Sequence, residues 1–229
     1  MTIARDAEIR EVARSLLNDL WRKRHQIWSV PPSIESLIPI RPEILIRSVL
    51  KISLEEPEAI APETGGAEIA GLVDREGGKI VVAQKYKPEY RRFTMAHEIG
   101  HWVLHPTGLY HRDRPLSGGE RANRTRPVQE QEADLFAAEL TMPRKPLTDY
   151  FRQAFGEVVG PTASADLISL MSCGRVNEID FRQDRRRRAL VVAQATMIGP
   201  SGLFAALAKR FGVSGIAMAI QLEDLGLVT

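Results

Sequence analysis

Apolar residues at Ile9, Val12, Ala13, Leu16, Leu17, Leu20 and Trp21 recur at steps of three and four between charged positions. That spacing lines one face of an α-helix and predicts a helix over residues 3–24. Pro31 and Pro32, flanked by serines, break the pattern. A second helix is expected from Pro42 to about Leu50. From Ile52 the pattern turns β-like, and residues 55–66, rich in Pro, Glu and Gly, read as a loop. Residues 68–73 and 79–83 are short apolar runs on either side of Asp74-Arg75-Glu76-Gly77-Gly78, which predicts a hairpin. Pro88 suits the first position of a helix that should run to about His105. Residues 106–126 show little periodicity and read as a solvent-facing, Arg-rich loop. Residues 128–141 are helical in pattern and are stopped by Pro143. Helices are further expected over 146–158, 163–171, 181–196 and 203–211. A last one starts at Ser214, after a Gly212-Val213-Ser214 turn.

This order of elements predicts an α+β protein with a small antiparallel sheet and a mostly helical surround. Two regions are expected: residues 1–145, with N-terminal helices and the chemical core, and residues 146–229, a helical region with a helix-turn-helix-like segment at 203–225. The chain has 229 residues, enough to bury a sizeable core. Its net charge is only +2, so charge alone does not mark it as a polyanion binder. Two basic blocks stand out, the arginines 185–188 and Trp21-Arg22-Lys23-Arg24-His25. Such runs are more often solvated helix faces than nucleic-acid sites. No apolar run is long enough to span a bilayer, so no membrane partner is expected. The N-terminus has no secretory apolar segment, and the single cysteine, Cys173, fits a reducing compartment. A cytoplasmic location is therefore expected. A metal site here must use His and carboxylates, because one thiol excludes Cys clusters.

Four of the five histidines fall between residues 97 and 111. His97-Glu98-Ile99-Gly100-His101 matches H-E-x-x-H. On a helix, residues four apart share a face, so both imidazoles can point at one ion. Glu98 lies about 100° around the helix, within reach of a water on that ion. This is the arrangement of a zinc hydrolase: Zn2+ acidifies the water and polarises the carbonyl, and Glu98 takes the proton as general base. Catalytic zinc usually has three protein ligands. His105 continues the same face, but three imidazoles at steps of four cannot converge tetrahedrally. It is expected to support the site or lie at the surface, with substrate contact as a further role.

The third ligand is expected downstream. Glu130 and Asp134 share a face of the helix over 128–141, with Ala133 and Ala137 beside them permitting close packing, on Gly100 for instance. Glu130 is assigned as ligand and Asp134 as hydrogen-bond acceptor for a ligand imidazole. Glu132 lies about 200° from Glu130 and should not face the ion. The plainer reading is an acidic helix start that favours the macrodipole, which leaves the alanines unexplained.

The segments from Arg92 to His101 and from Glu130 to Pro143 resemble the ImmA/IrrE family of metallopeptidases. The resemblance implies a gluzincin-type site with His97, His101 and Glu130 on zinc and Glu98 as general base. It also implies a peptidase that cleaves a DNA-binding regulator, often a repressor, in stress response or mobile-element control. The alternative is a non-proteolytic, zinc-containing regulatory protein that binds a protein partner or DNA. Intact Glu98 and ligand positions favour the enzyme. Direct nucleic-acid binding is the lesser expectation, because the helix from Ser214 presents apolar and acidic residues where base reading needs Arg, Lys, Asn or Gln.

Overall fold

The computed structural model describes residues 2–61, 69–106, 110–112, 126–173, 177–199 and 202–229. The chain forms two compact units, Met1–Thr141 and Met142–Thr229.

The first unit opens with helix α1, Ile3–Ile27, whose N–H of Arg5 is capped by the Thr2 side chain. Its buried stripe, Ile9, Ala13, Leu16 and Leu20, follows the sequence pattern and packs on helix α4, Val128–Thr141. Two ion pairs tie the same helices, Arg5 to Glu132 and Arg10 to Glu139. A short helix α2, Pro42–Ile44, runs into a π-helical segment, Leu45–Leu50, which ends at Lys51 in the left-handed region at φ 58°. Four strands follow: β1 Ser53–Glu55, β2 Gly71–Asp74, β3 Lys79–Val82 and β4 Tyr110–Arg112.

The sheet order is β1-β3-β2-β4. The β2–β3 hairpin and the β2–β4 pair are antiparallel, but β1 runs parallel to β3. The fold is therefore α+β, with a mixed sheet where an antiparallel one was expected. Parallel pairing needs a long connection, and residues 56–78, which include β2, separate β1 from β3 in the chain. Residues 62–66 of the expected loop lie outside the described residues, and Ile60 bridges Ile69 beside that gap. Strand β4 falls within the stretch read as a loop. Three residues are too few for alternation to register, and pairing with β2 makes the strand. Residues 107–109 and 113–125 lie outside the described residues.

Helix α3, Pro88–Leu104, carries the H-E-x-x-H sequence and is buried on every face from Phe93 to His101. It packs on β2, β3 and α4, so both the sheet and a second helix cover it. Gly100 makes this possible. A Cβ there would meet Ala133 Cα at 3.1 Å, so the two helices cross almost backbone to backbone. The C-terminal carbonyls of α3 are gathered by Arg75 from the β2–β3 turn, whose Nη2 donates to His101, Trp102 and His105 at 2.6–2.9 Å. A cation at a helix C-terminus also complements the macrodipole.

The second unit holds α5 Arg144–Phe155, α6 Ala165–Ser172, α7 Glu178–Gln183, α8 Arg185–Gln194, the hairpin β5 Met197–Gly199 and β6 Gly202–Phe204, α9 Leu207–Phe211 and α10 Gly215–Asp224. The expected helix over 181–196 is split, because the Asp184 side chain accepts the Arg187 N–H and starts α8. The helix expected from residue 203 begins at Leu207, its first residues being taken by β6.

The arginines 185–188 form no open basic face. Arg186 forms a two-pronged bond to Glu223, Arg187 pairs with Asp180, and Arg185 donates to the carbonyls of Glu223 and Val228. Arg188 is buried and donates to the carbonyls of Phe181, Arg182 and Thr229. The block clamps the end of the chain onto α8. Helix α10 buries Met218, Ala219, Ile220, Gln221 and Leu222 and packs on α8. Its middle is thus part of this unit's core, as its apolar sequence suggests.

Candidate metal centre

Helix α3 places His97 and His101 one turn apart, and α4 brings Glu130 opposite them. His97 Nε2 lies 3.0 Å from His101 Nε2. The Glu130 oxygens lie 3.3 Å from His97 Nε2 and 3.1 Å from His101 Nε2. Ligands on a tetrahedron at zinc distances of about 2.0–2.1 Å would stand about 3.3 Å apart, so the spacing suits a small cation. Among the described residues this trio is the one group of His, Cys, Asp and Glu side chains gathered closely enough to hold a metal.

The donor chemistry agrees with the spacing. The other nitrogen of His97, Nδ1, is 2.9 Å from Asp134 Oδ1. A ring proton on Nδ1 donating to that carboxylate leaves the Nε2 lone pair aimed at the trio's centre. Two lone pairs and a carboxylate then face one another, an arrangement that a cation relieves. Burial pushes His101 down to about 4, which keeps the imidazole neutral and fit to ligate. Burial alone would raise the Glu130 carboxyl, but in the metal-free site a proton on the facing Nε2 atoms, of His101 first and then His97, lets the imidazoles donate to it, which outweighs burial and holds the group well below the ordinary carboxylate range. Glu130 is therefore ionised across the physiological range.

The His101 shift has a consequence for the metal-free protein. Between 6.5 and about 4 the unfolded chain binds more protons at this residue than the folded one does. Stability from this group is therefore full above about 6.5 and is lost as pH falls through that window. Denaturant midpoints of chelator-treated protein are expected to fall from pH 7 to pH 5. A midpoint that rises on acidification would contradict the assignment.

Glu98 is fully buried and seated against β2. A Cβ on Gly71 would approach its Oε1 to 2.8 Å and Thr94 Cγ2 to 2.7 Å, so glycine makes room for this carboxylate. Gly71→Ala should displace Glu98, the movable neighbour, at a stability cost of about 1–3 kcal/mol. The expected result is a large drop in kcat with metal content unchanged. Wild-type kcat in this variant would show that the carboxylate's seat is irrelevant to turnover.

His105 is buried at the end of α3, with Nδ1 3.0 Å from His101 Nδ1 and Nε2 2.9 Å from Glu132 Oε2. It lies outside the metal trio. Three further residues bear on the site or its surroundings without having been singled out from the sequence. Arg126 pairs with Glu130 at 3.0 Å and with Asp134. It lies just before α4, in the stretch read as a loop, so the helix pattern did not single it out. Arg5 grips Glu132 with two bonds across 127 residues of sequence, and no local pattern announces that. The Arg5 guanidinium, and after it His105, hold the Glu132 carboxyl below its ordinary value. Gly71 was legible only as part of a strand.

Two buried histidines and a half-buried glutamate on two crossing helices of an α+β unit make a candidate metal-binding protein. Residues 62–159 match the family of peptidases described as the IrrE N-terminal-like domain. The matched part holds α3 and α4 and supports the resemblance to the ImmA/IrrE metallopeptidases. Comparison with curated proteins returned no match.

Proposed function

We propose that the protein is a zinc-dependent endopeptidase that cleaves a cytoplasmic protein, specifically a transcriptional regulator of the repressor kind, in stress response or mobile-element control. The observation that carries the catalytic part is the convergence of His97 Nε2, His101 Nε2 and the Glu130 carboxylate, with Asp134 fixing the tautomer of His97. In this reading His97, His101 and Glu130 hold the ion. A bound zinc supplies Lewis acidity toward the scissile carbonyl and lowers the pKa of water there. Glu98 takes a proton from the attacking water and returns it to the departing amine. Asp134 orients His97, and Arg126 orients Glu130 and Asp134.

The regulator as substrate rests on the family resemblance. No helix among the described residues is long and apolar enough to cross a membrane, which is compatible with a substrate in solution. Selectivity is the testable side of this reading. The protein is expected to leave unfolded casein largely intact and to cut a regulator encoded nearby at one or two sites. Mass spectrometry of the products checks it. Glu98→Gln protein, used as bait, should retain the uncut regulator. Rapid, unselective digestion of casein would contradict a dedicated regulatory peptidase.

A further inference from the structure

Resting on the metal-centre reading, we propose that Arg5 and Glu132 are positioning residues for the metal, acting on the ligand His101 through His105. Each ring proton in this chain of bonds has one consistent place. If His101 ligates through Nε2, its proton sits on Nδ1, and that atom is 3.0 Å from His105 Nδ1. His105 Nδ1 must then accept, so the His105 proton sits on Nε2, 2.9 Å from Glu132 Oε2. Glu132 is 7 % exposed and needs a countercharge. Arg5 provides it with Nε at 2.9 Å and Nη2 at 2.8 Å, a paired grip that fixes the carboxylate plane. The Arg75 bond to the His105 carbonyl holds the backbone of the relay in place.

The two ligand imidazoles are thus oriented by different devices. His97 has a carboxylate directly on its Nδ1, and His101 has one at the far side of a third imidazole. The second device ends on α1, a helix that carries none of the trio. Helix α1 is thereby part of the metal centre and does more than cover α4.

The simpler role for Arg5–Glu132 is to fasten α1 to α4, and the structure contains a control for it. Arg10–Glu139 joins the same two helices, two turns further along α4, at 3.3 Å. The test uses the full chain, zinc competition against a chromophoric chelator, and the d–d absorption of the cobalt(II)-loaded protein. Arg5→Met, Glu132→Gln and His105→Leu should each weaken zinc by about 10–100-fold, the usual effect of losing an outer partner of a metal histidine. Combining Arg5→Met with His105→Leu should add little, because both break one chain. His105→Gln, whose amide can accept at one atom and donate at the other, should recover part of the affinity and the cobalt spectrum. Arg10→Met should lower the melting temperature and leave zinc affinity alone. Should His105→Leu fail to fold, Arg5→Met and His105→Gln still decide the matter. Arg5→Met that loses melting temperature as Arg10→Met does, with zinc affinity and cobalt spectrum unchanged, would overturn the inference. A wild-type chain that binds neither zinc nor cobalt would overturn the metal centre and this inference with it.

Discussion

Glu98→Gln is expected to lower hydrolysis of the true substrate by at least ~10²–10⁴-fold, the range supplied by a positioned general base, while the metal stays bound. Glutamine keeps the size of the side chain and one acceptor oxygen but cannot take the proton. Glu98 is not one of the trio that gathers around the metal position, so its loss should leave affinity intact. Its burial beside Gly71 and Thr94 favours this separation of roles, because the neutral amide fits the same space. Single-turnover cleavage and metal content are read on the same preparation. Near-normal turnover would refute Glu98 as the base. Loss of metal together with activity would make it a ligand.

The second large effect separates two carboxylates on one helix. Glu130→Gln should weaken zinc beyond the ~100-fold limit typical of outer partners, because it removes a ligand's charge and replaces one of its oxygens with an amide nitrogen that cannot ligate. Glu132→Gln should stay within about 10–100-fold. The helix period alone says that Glu132 points away from the ion. The structure adds where it points: to His105 and Arg5. Its substitution is therefore felt, but at one remove. Chelator competition on both variants checks the order, and the opposite order would exchange their roles.

The sequence carries the trio because each of its links is local. H-E-x-x-H puts two histidines on one helix face, and Glu130 with Asp134 does the same on the next helix. Ala133 and Gly100 disclose that the helices touch, and they do so at 3.1 Å for an added Cβ. Strands β2 and β3 were likewise visible, since a turn of Asp and Gly separates two apolar runs.

The remainder depended on distant partners. Strand β4 exists through pairing with β2, and β1 took the parallel side of β3. The break between α7 and α8 rests on one capping aspartate inside an otherwise continuous pattern. The arginines 185–188 read as a solvated or binding face, and burial of Arg188 among carbonyls could not be seen without the fold. Arg5 reaching Glu132 is the extreme case, because neither residue is unusual in its own helix.

Elemental analysis of the full chain, purified without chelators, tests the metal centre most directly. The expected result is close to one zinc per chain in the wild type, retained in Glu98→Gln and lost in His97→Ala. A wild-type chain that holds no metal as purified, and takes up none when zinc is added, would contradict it.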